Sequence, residues 1–246
     1  DADLYENWTD VSGFLSADPR IVQNPRAIGR ITFDEMRELS YMGASVLQEE
    51  AIFPVREANI PIQIKNTNRP EDAGTVIRET ADGDTNEHLI TGIAGKKDFL
   101  AIHVKKAHMS NEVGVISRAL NIVERYGVSV EHIPTGVDSF GIVVNASDVK
   151  DTVYSIISDI RREIEPDDIT MVDRLALVSV VGRNMSRRSG TSGKIFGALG
   201  NAGVNIRMIT QSSEEISIIV GVDNADFDRT IGVIYNGFVR DEMVSR

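Results

Sequence analysis

Two short stretches of this 246-residue chain combine residue types and spacing that could hold a charged small molecule. One is His108-Met109-Ser110-Asn111-Glu112-Val113-Gly114; the other is Asn184-Met185-Ser186-Arg187-Arg188-Ser189-Gly190. Each sets small and polar residues and a glycine immediately ahead of a helical apolar stripe. The first backbone N–H groups of a helix have no partner within it and lie at the positive end of its dipole, so such a loop can receive a carboxylate. The same residues also read as a tight turn with a sterically required glycine. About fifteen residues beyond each loop comes a second polar set, Ser129 and Glu131 in one case and Asn205 and Arg207 in the other. A carboxylate-accepting loop beside a polar or acidic side chain suits a free amino acid.

The elements that must position these groups repeat. At an offset of 76, Met109-Ser110 matches Met185-Ser186, Gly114 matches Gly190, Gly127-Val128 matches Gly203-Val204, Ile133 matches Ile209 and Val144 matches Val220. Internal repeats of this length mark duplicated supersecondary units. Between the paired glycines lies an element of fixed length. In the first copy it carries Ile116, Ala119, Leu120 and Val123, and in the second Ile195, Leu199 and Ala202, which is helical spacing ending at a glycine stop. Apolar runs predict strands at 100–104, 128–130 and 141–144 in one copy and at 175–180, 204–206 and 216–220 in the other. A second helix is expected near 148–162 and 225–235. Strand, helix, strand, strand, helix with a closing strand is the ferredoxin-like βαββαβ unit, here present twice. The first 80 residues differ. Thr32 with Glu35 three positions on is a capping box, ahead of a helical face at Met36, Leu39, Gly43 and Leu47. A short helix is expected over 52–58 with Pro54 near its first turn, then a strand over 60–64. That mixture is an α/β piece. The polar stretch 79–87 reads as a linker.

Composition narrows the classes. Lys+Arg is 26 and Asp+Glu is 37, giving a formal charge of −11, which argues against a phosphate-backbone partner such as nucleic acid. No apolar run approaches the roughly 20 residues that span a bilayer, and no signal peptide is evident, so neither a membrane partner nor export is expected. Cysteine is absent, which excludes disulfides and thiol chemistry and fits a cytoplasmic location. His88, His103, His108 and His132 have no metal-ligand spacing. Gly190-Thr191-Ser192-Gly193-Lys194 lacks the spacing of a phosphate loop, and Arg183, Arg187, Arg188 and Lys194 read as a solvated or interface cluster.

The glycine pattern Gly114…Gly127-Val-Ser-Val and Gly190…Gly203-Val-Asn-Ile, each in a βαββα frame, resembles the ACT domain, a small amino-acid-binding regulatory module. Two such modules behind an α/β piece resemble the regulatory end of aspartate kinase. The amino-terminal residues carry the resemblance too: Trp8-Thr9-Asp10-Val11-Ser12-Gly13, Ala17-Asp18-Pro19-Arg20, Ile31-Thr32-Phe33-Asp34-Glu35-Met36, Met42-Gly43-Ala44 and Lys65-Asn66-Thr67. The fold class so implied is mixed α+β and α/β: the C-terminal piece of an amino-acid-kinase domain over 1–80, then two ferredoxin-like ACT domains over 88–168 and 169–246. A strand near 89–94 is expected to serve the second of them.

The resemblance implies site residues. Thr9 and Asp10 would contact the adenosine or phosphate of ATP, with Mg²⁺ as companion ion, and Arg20 would be a bidentate phosphate donor; Leu15, Ser45 and Val46 complete that set. Asp18-Pro19-Arg20 is also an ordinary turn sequence, and Asp10 could cap one. Ser45 and Gln48 stand where the family often has Lys and His. No Lys-x-Gly-Gly-Ser/Thr motif is present, so the chain is expected to be a C-terminal fragment that is inactive alone, with the catalytic residues outside it. By resemblance to the lysine-sensitive branch, the effector contacts would be Met109, Glu112, Val115, Ile116, Ser129, Val130 and Glu131. Glu131 would meet the effector ammonium. Lysine is the preferred effector and threonine the next, and homodimer or higher assembly through the ACT domains is expected. The competing class is a non-enzymatic amino-acid sensor built from two such modules.

Overall fold

A computed structural model describes residues 2–44, 46–47, 49–80 and 88–240. In chain order the elements are β1 (Tyr5–Thr9), β2 (Arg30–Thr32), α1 (Phe33–Tyr41), α2 (Glu49–Glu57), β3 (Ile62–Asn66), β4 (Thr75–Arg78), β5 (Gly92–Lys105), α3 (Val115–Arg125), β6 (Ser139–Asn145), α4 (Val153–Ile164), β7 (Asp168–Val181), α5 (Thr191–Asn201), β8 (Met208–Gln211), β9 (Ser217–Asp223) and α6 (Phe227–Ile234). They fall into two compact units, residues 97–176 and the remainder. Strands β5 and β7 each run from one unit into the other.

In the larger unit the amino-terminal piece forms a four-stranded sheet in the order β1-β3-β4-β2. The β1–β3 and β2–β4 pairs are parallel, and β3–β4 is antiparallel. The Ile62, Ile64 and Asn66 side chains of β3 are buried in strict alternation with half-exposed neighbours, the period-2 pattern that a sheet with one covered face imposes. Gly74 must be glycine: its φ is +73°, and a Cβ there would lie 1.8 Å from the Ile64 carbonyl oxygen. Helix α1 opens on the capping box read from the sequence. The Thr32 hydroxyl accepts from the Glu35 N–H, and the Glu35 carboxylate accepts from the Thr32 N–H.

Helix α1 ends at Tyr41 and does not run on to Leu47 as the apolar spacing predicts. Gly43 turns left-handed (φ +100°), and Ala44 N–H reaches back to the Leu39 carbonyl, a cap that satisfies the last turn and stops the helix. Helix α2 begins at Glu49, three residues before its expected start, so Pro54 lies inside it. Most of the stretch read as a linker, 81–87, lies outside the described residues, as do Ser45 and Gln48. The same unit holds the second repeat. Strands β5, β7, β9 and β8 lie in that order, with α5 and α6 against them.

The smaller unit is the first repeat: strands β6, β5 and β7, in that order, covered by α3 and α4. Its core is one apolar cluster that includes Leu100, Ile102, Val104, Ala119, Ile122, Phe140, Ile142, Ile156 and Ile160. Helix α3 buries Val115, Ala119, Ile122 and Val123, so the stripe shares Ala119 and Val123 with the expected one while Ile116 and Leu120 are only half-buried at its edge. Tyr126 at the end of α3 donates to Asp159 of α4 at 2.8 Å. Residues 128–130, expected as a strand, are extended chain without a ladder. Pairing to β6 begins only at Glu131 and His132, whose N–H groups donate to the Val143 carbonyl at 2.8 and 3.5 Å. In the second repeat the corresponding strand likewise starts late, at Met208 and not at Val204. In both copies the chain leaving the glycine turn first crosses from helix to sheet, and only then reaches a partner.

Candidate functional site

Two places gather the residues picked out from sequence. In the amino-terminal piece, Thr9 and Asn66 end the adjacent parallel strands β1 and β3. Ligands of open α/β sheets bind outside such carboxyl ends. Thr67 ties the two ends together, donating from its N–H and its hydroxyl to the Thr9 carbonyl at 2.8 and 3.0 Å. Asn66, buried, donates to the Ser12 hydroxyl at 2.8 Å, which in turn donates to Asp72. Asp10 is exposed, and the Thr9 hydroxyl donates to it at 3.3 Å. Hydroxyl and carboxylate groups of this kind suit the sugar and base of a nucleoside.

Arg20, the expected phosphate donor, is engaged locally. Its guanidinium bonds both Asp18 oxygens, at 2.6 to 3.1 Å. The Arg20 hydrogen bonds hold the Asp18 carboxyl below the usual range. This is the self-contained turn that the Asp-Pro-Arg spelling allows. Leu15 is bridged to Ala27 at the edge of the same loop, and Val46 is half-buried beyond α1. Among the described residues no cluster of His, Asp or Glu is arranged to hold a metal ion, and no helix is long and apolar enough to cross a membrane.

The second place is a cavity of about 690 Å³ in the first repeat, lined by Leu120, Asn121 and Glu124 of α3 and by Gly127, Val128, Ser129, Val130, Glu131, His132 and Ile133. Three of the seven expected effector residues meet there: Ser129, Val130 and Glu131. The other four stand apart. Met109 and Val115 are buried in the core of the unit, and Ile116 packs against it. Glu112 is exposed, with a carboxylate that accepts from Arg118 and forms an ion pair with Lys106 at 3.3 Å. Burial raises the Glu112 pKa, but the bonds from Lys106 and Arg118 outweigh it and leave the carboxyl below the ordinary range. Its charge is already matched.

Sequence reasoning passed over the remaining wall of this cavity. Asn121 and Glu124 are exposed on the polar side of α3, and no motif singled them out. His132 read as a bland sheet histidine, yet its Nε2 is buried without a hydrogen-bond partner. Desolvation of the ring lowers the His132 pKa, against the opposing charge of Glu131.

Comparison with known proteins bears on the chain as a whole. The amino acid kinase family matches residues 1–66 and the ACT domain matches residues 178–238. Aspartokinase 3 of Bacillus subtilis is 39% identical over 245 residues, 99% of this chain and 54% of that protein. The crystal structure of Clostridium acetobutylicum aspartate kinase superposes with a TM-score of 0.93 at 52% identity, covering 96% of this chain and 55% of that one. The chain belongs to the aspartokinase family. It spans about half the length of the relatives it matches. Escherichia coli aspartokinase III, at 23% identity, shares the fold with a TM-score of 0.80 in a complex with aspartate and ADP. This family has the same mixed fold, with a kinase segment ahead of ferredoxin-like regulatory modules.

Proposed function

We propose that this chain is the carboxyl-terminal part of an aspartate kinase whose repeats inhibit it when an end-product amino acid binds. The observation that carries this reading is the larger compact unit, in which the amino-terminal kinase segment and the second repeat pack as one body. A free-standing amino-acid sensor has no use for that segment. The parent enzyme would transfer the γ-phosphoryl group of ATP to the β-carboxylate of aspartate, with Mg²⁺ neutralising phosphate charge. Thr9 and Asp10 would hold the nucleoside, with Leu15, Val46 and Ser45 beside it. Arg20 would reach phosphate only by exchanging Asp18 for it. The functional division is 1–80 for the kinase portion, then 88–168 and 169–246 for the two ACT modules, and the fragment by itself is inactive.

The effector is lysine, with threonine the alternative, bound in the first repeat with Glu131 facing its side-chain ammonium. The acidic lining of the cavity by Glu131 and Glu124 supports a cationic ligand. In the second repeat Arg207 takes the place of Glu131, with its guanidinium 3.7 Å from Asp223. Escherichia coli aspartokinase III, which shares the fold, has been crystallised with lysine and aspartate. Binding in one of two states of the enzyme would shift its population toward that state. The expected assembly is a homodimer through the ACT modules, in the cytoplasm. The test is aspartate-dependent ADP formation by the full-length parent, with and without millimolar lysine. No aspartate-dependent turnover defeats the kinase assignment, and turnover untouched by lysine and threonine defeats the regulatory one.

A further inference from the structure

Glu35 has a fully buried side chain, and both carboxylate oxygens are saturated by three separate segments. Oε1 accepts from the Thr91 hydroxyl at 2.6 Å and the Arg183 N–H at 3.0 Å. Oε2 accepts from the Arg183 guanidinium at 2.8 Å and, on Thr32, from the hydroxyl at 3.2 Å and the N–H at 3.0 Å. A capping box needs only the last of these. A buried carboxylate is costly unless it is paired and fully hydrogen-bonded, and breaking such a pair leaves an uncompensated charge. The position is therefore committed to its distant partners. Arg183 stands in the turn that leads from β7 into α5, the second repeat's counterpart of the loop before α3.

The last turn of helix α1 lies beside the start of β5. A Cβ on Gly92 would sit 3.0 Å from Leu39 Cδ1, and one on Gly43 would sit 3.5 Å from Lys96 Cγ. The Lys96 ammonium lies 5.3 Å from the Tyr41 ring centre. Beyond Gly43 the chain enters Ala44-Ser45-Val46, the segment assigned to the nucleotide. The helix is thus a short rod, clamped at its first turn to the second repeat and leading at its other end to the kinase site.

We propose that Glu35 is a positioning residue that couples the β7–α5 turn of the second repeat to helix α1. Its regulatory consequence rests on the kinase reading above; the mechanical coupling does not. The test is hydrogen exchange on the purified chain carrying Glu35→Gln, Arg183→Met, both, or Thr32→Ala as a control for the cap hydroxyl alone. Glu35→Gln keeps the size and an acceptor for Thr91 while removing the charge. It is expected to speed exchange about tenfold in both 33–44 and 182–190, and Arg183→Met to do the same. The double variant should exceed neither single, because one interaction is being removed. Thr32→Ala should act on 33–44 alone. Exchange changes confined to 33–44 in Glu35→Gln, or effects of the two singles that multiply, overturn the proposal. If Glu35→Gln does not fold, Arg183→Met carries the same comparison, since Arg183 is partly exposed. In the full-length kinase Glu35→Gln should move the half-inhibiting lysine concentration at least fivefold; an unmoved value in an active enzyme also overturns it. The exchange arm needs neither nucleotide nor effector, so loss of the lysine assignment would leave it intact.

Discussion

Glu112 and Glu131 are both acidic and both stood out in the sequence, but of the two it is Glu131 that lines the cavity of the first repeat. An ammonium about 4 Å from a carboxylate near the surface gains roughly 4 kcal/mol of gross Coulomb energy at an effective dielectric of 20. At Glu112 that gain is offset by Arg118 and Lys106, which already occupy its two oxygens. Glu131 lines the cavity and is half-buried. A hydrogen bond to a charged partner there is worth about 1.5–3 kcal/mol net, or roughly a 10- to 100-fold change in affinity. Solvent at the mouth favours the lower end. Calorimetric titration of lysine into the chain at about 0.1 M salt, where the Debye length is about 10 Å, is the assay. Glu131→Gln should weaken binding about tenfold, and Glu112→Gln by no more than about threefold. Equal losses, or a larger loss from Glu112→Gln, would refute the placement of the ligand beside Glu131.

Two further outcomes follow from the geometry. Gly74→Ala combines a left-handed backbone with a Cβ driven onto the Ile64 carbonyl. It should cost about 3 kcal/mol and lower the melting temperature by roughly 6–12 °C, whereas Gly29→Ala, with open space around it, should change it by far less; a tolerated Gly74→Ala would contradict the close approach of β3 and the 74 turn. The pH profile of unfolding should show two losses on acidification. Folding lowers the His132 pKa, so the unfolded chain takes up that proton first and stability falls as pH drops through about 6.5. Below about 4 a second loss follows, because the Tyr126 hydrogen bond lowers Asp159 and the Arg125 hydrogen bond lowers Glu163 in the folded state. Differential scanning calorimetry of His132→Gln should lack the first loss and keep the second; an unchanged profile would refute the assignment.

Local signals were legible where one element's own physics decides them. The Thr32–Glu35 box, the existence of helix α3 and the left-handed glycines at 127 and 203 all came from residues within a few positions of one another, while the face α3 buries was read one residue off at Ile116 and two off at Leu120. The 76-residue repeat fixed the order of elements, because two copies of one pattern must bury the same faces. Three of the effector residues, Ser129 to Glu131, are contiguous, and they stayed together. Met109 and Val115 did not join them. From sequence, an apolar residue in a binding loop and one in the core look alike, and only packing distinguishes them.

Charge was the property that sequence could count but not place. The total of −11 says nothing of which carboxylates are matched. Arg20 found Asp18 two residues away, and Glu112 found Arg118 six residues on, pairings of short range. Glu35 found Arg183 across 148 positions. No periodicity or propensity relates residues so far apart; burial of both in one folded unit does. By itself the sequence determined that an α/β piece precedes two ferredoxin-like repeats, since hydrophobic spacing and turn residues act locally; the kinase character of that piece came from its resemblance to a known family. Only tertiary structure decided which charges are spent and which carboxylate links α1 to the second repeat, since desolvation and pairing depend on what the whole fold brings within a few ångströms.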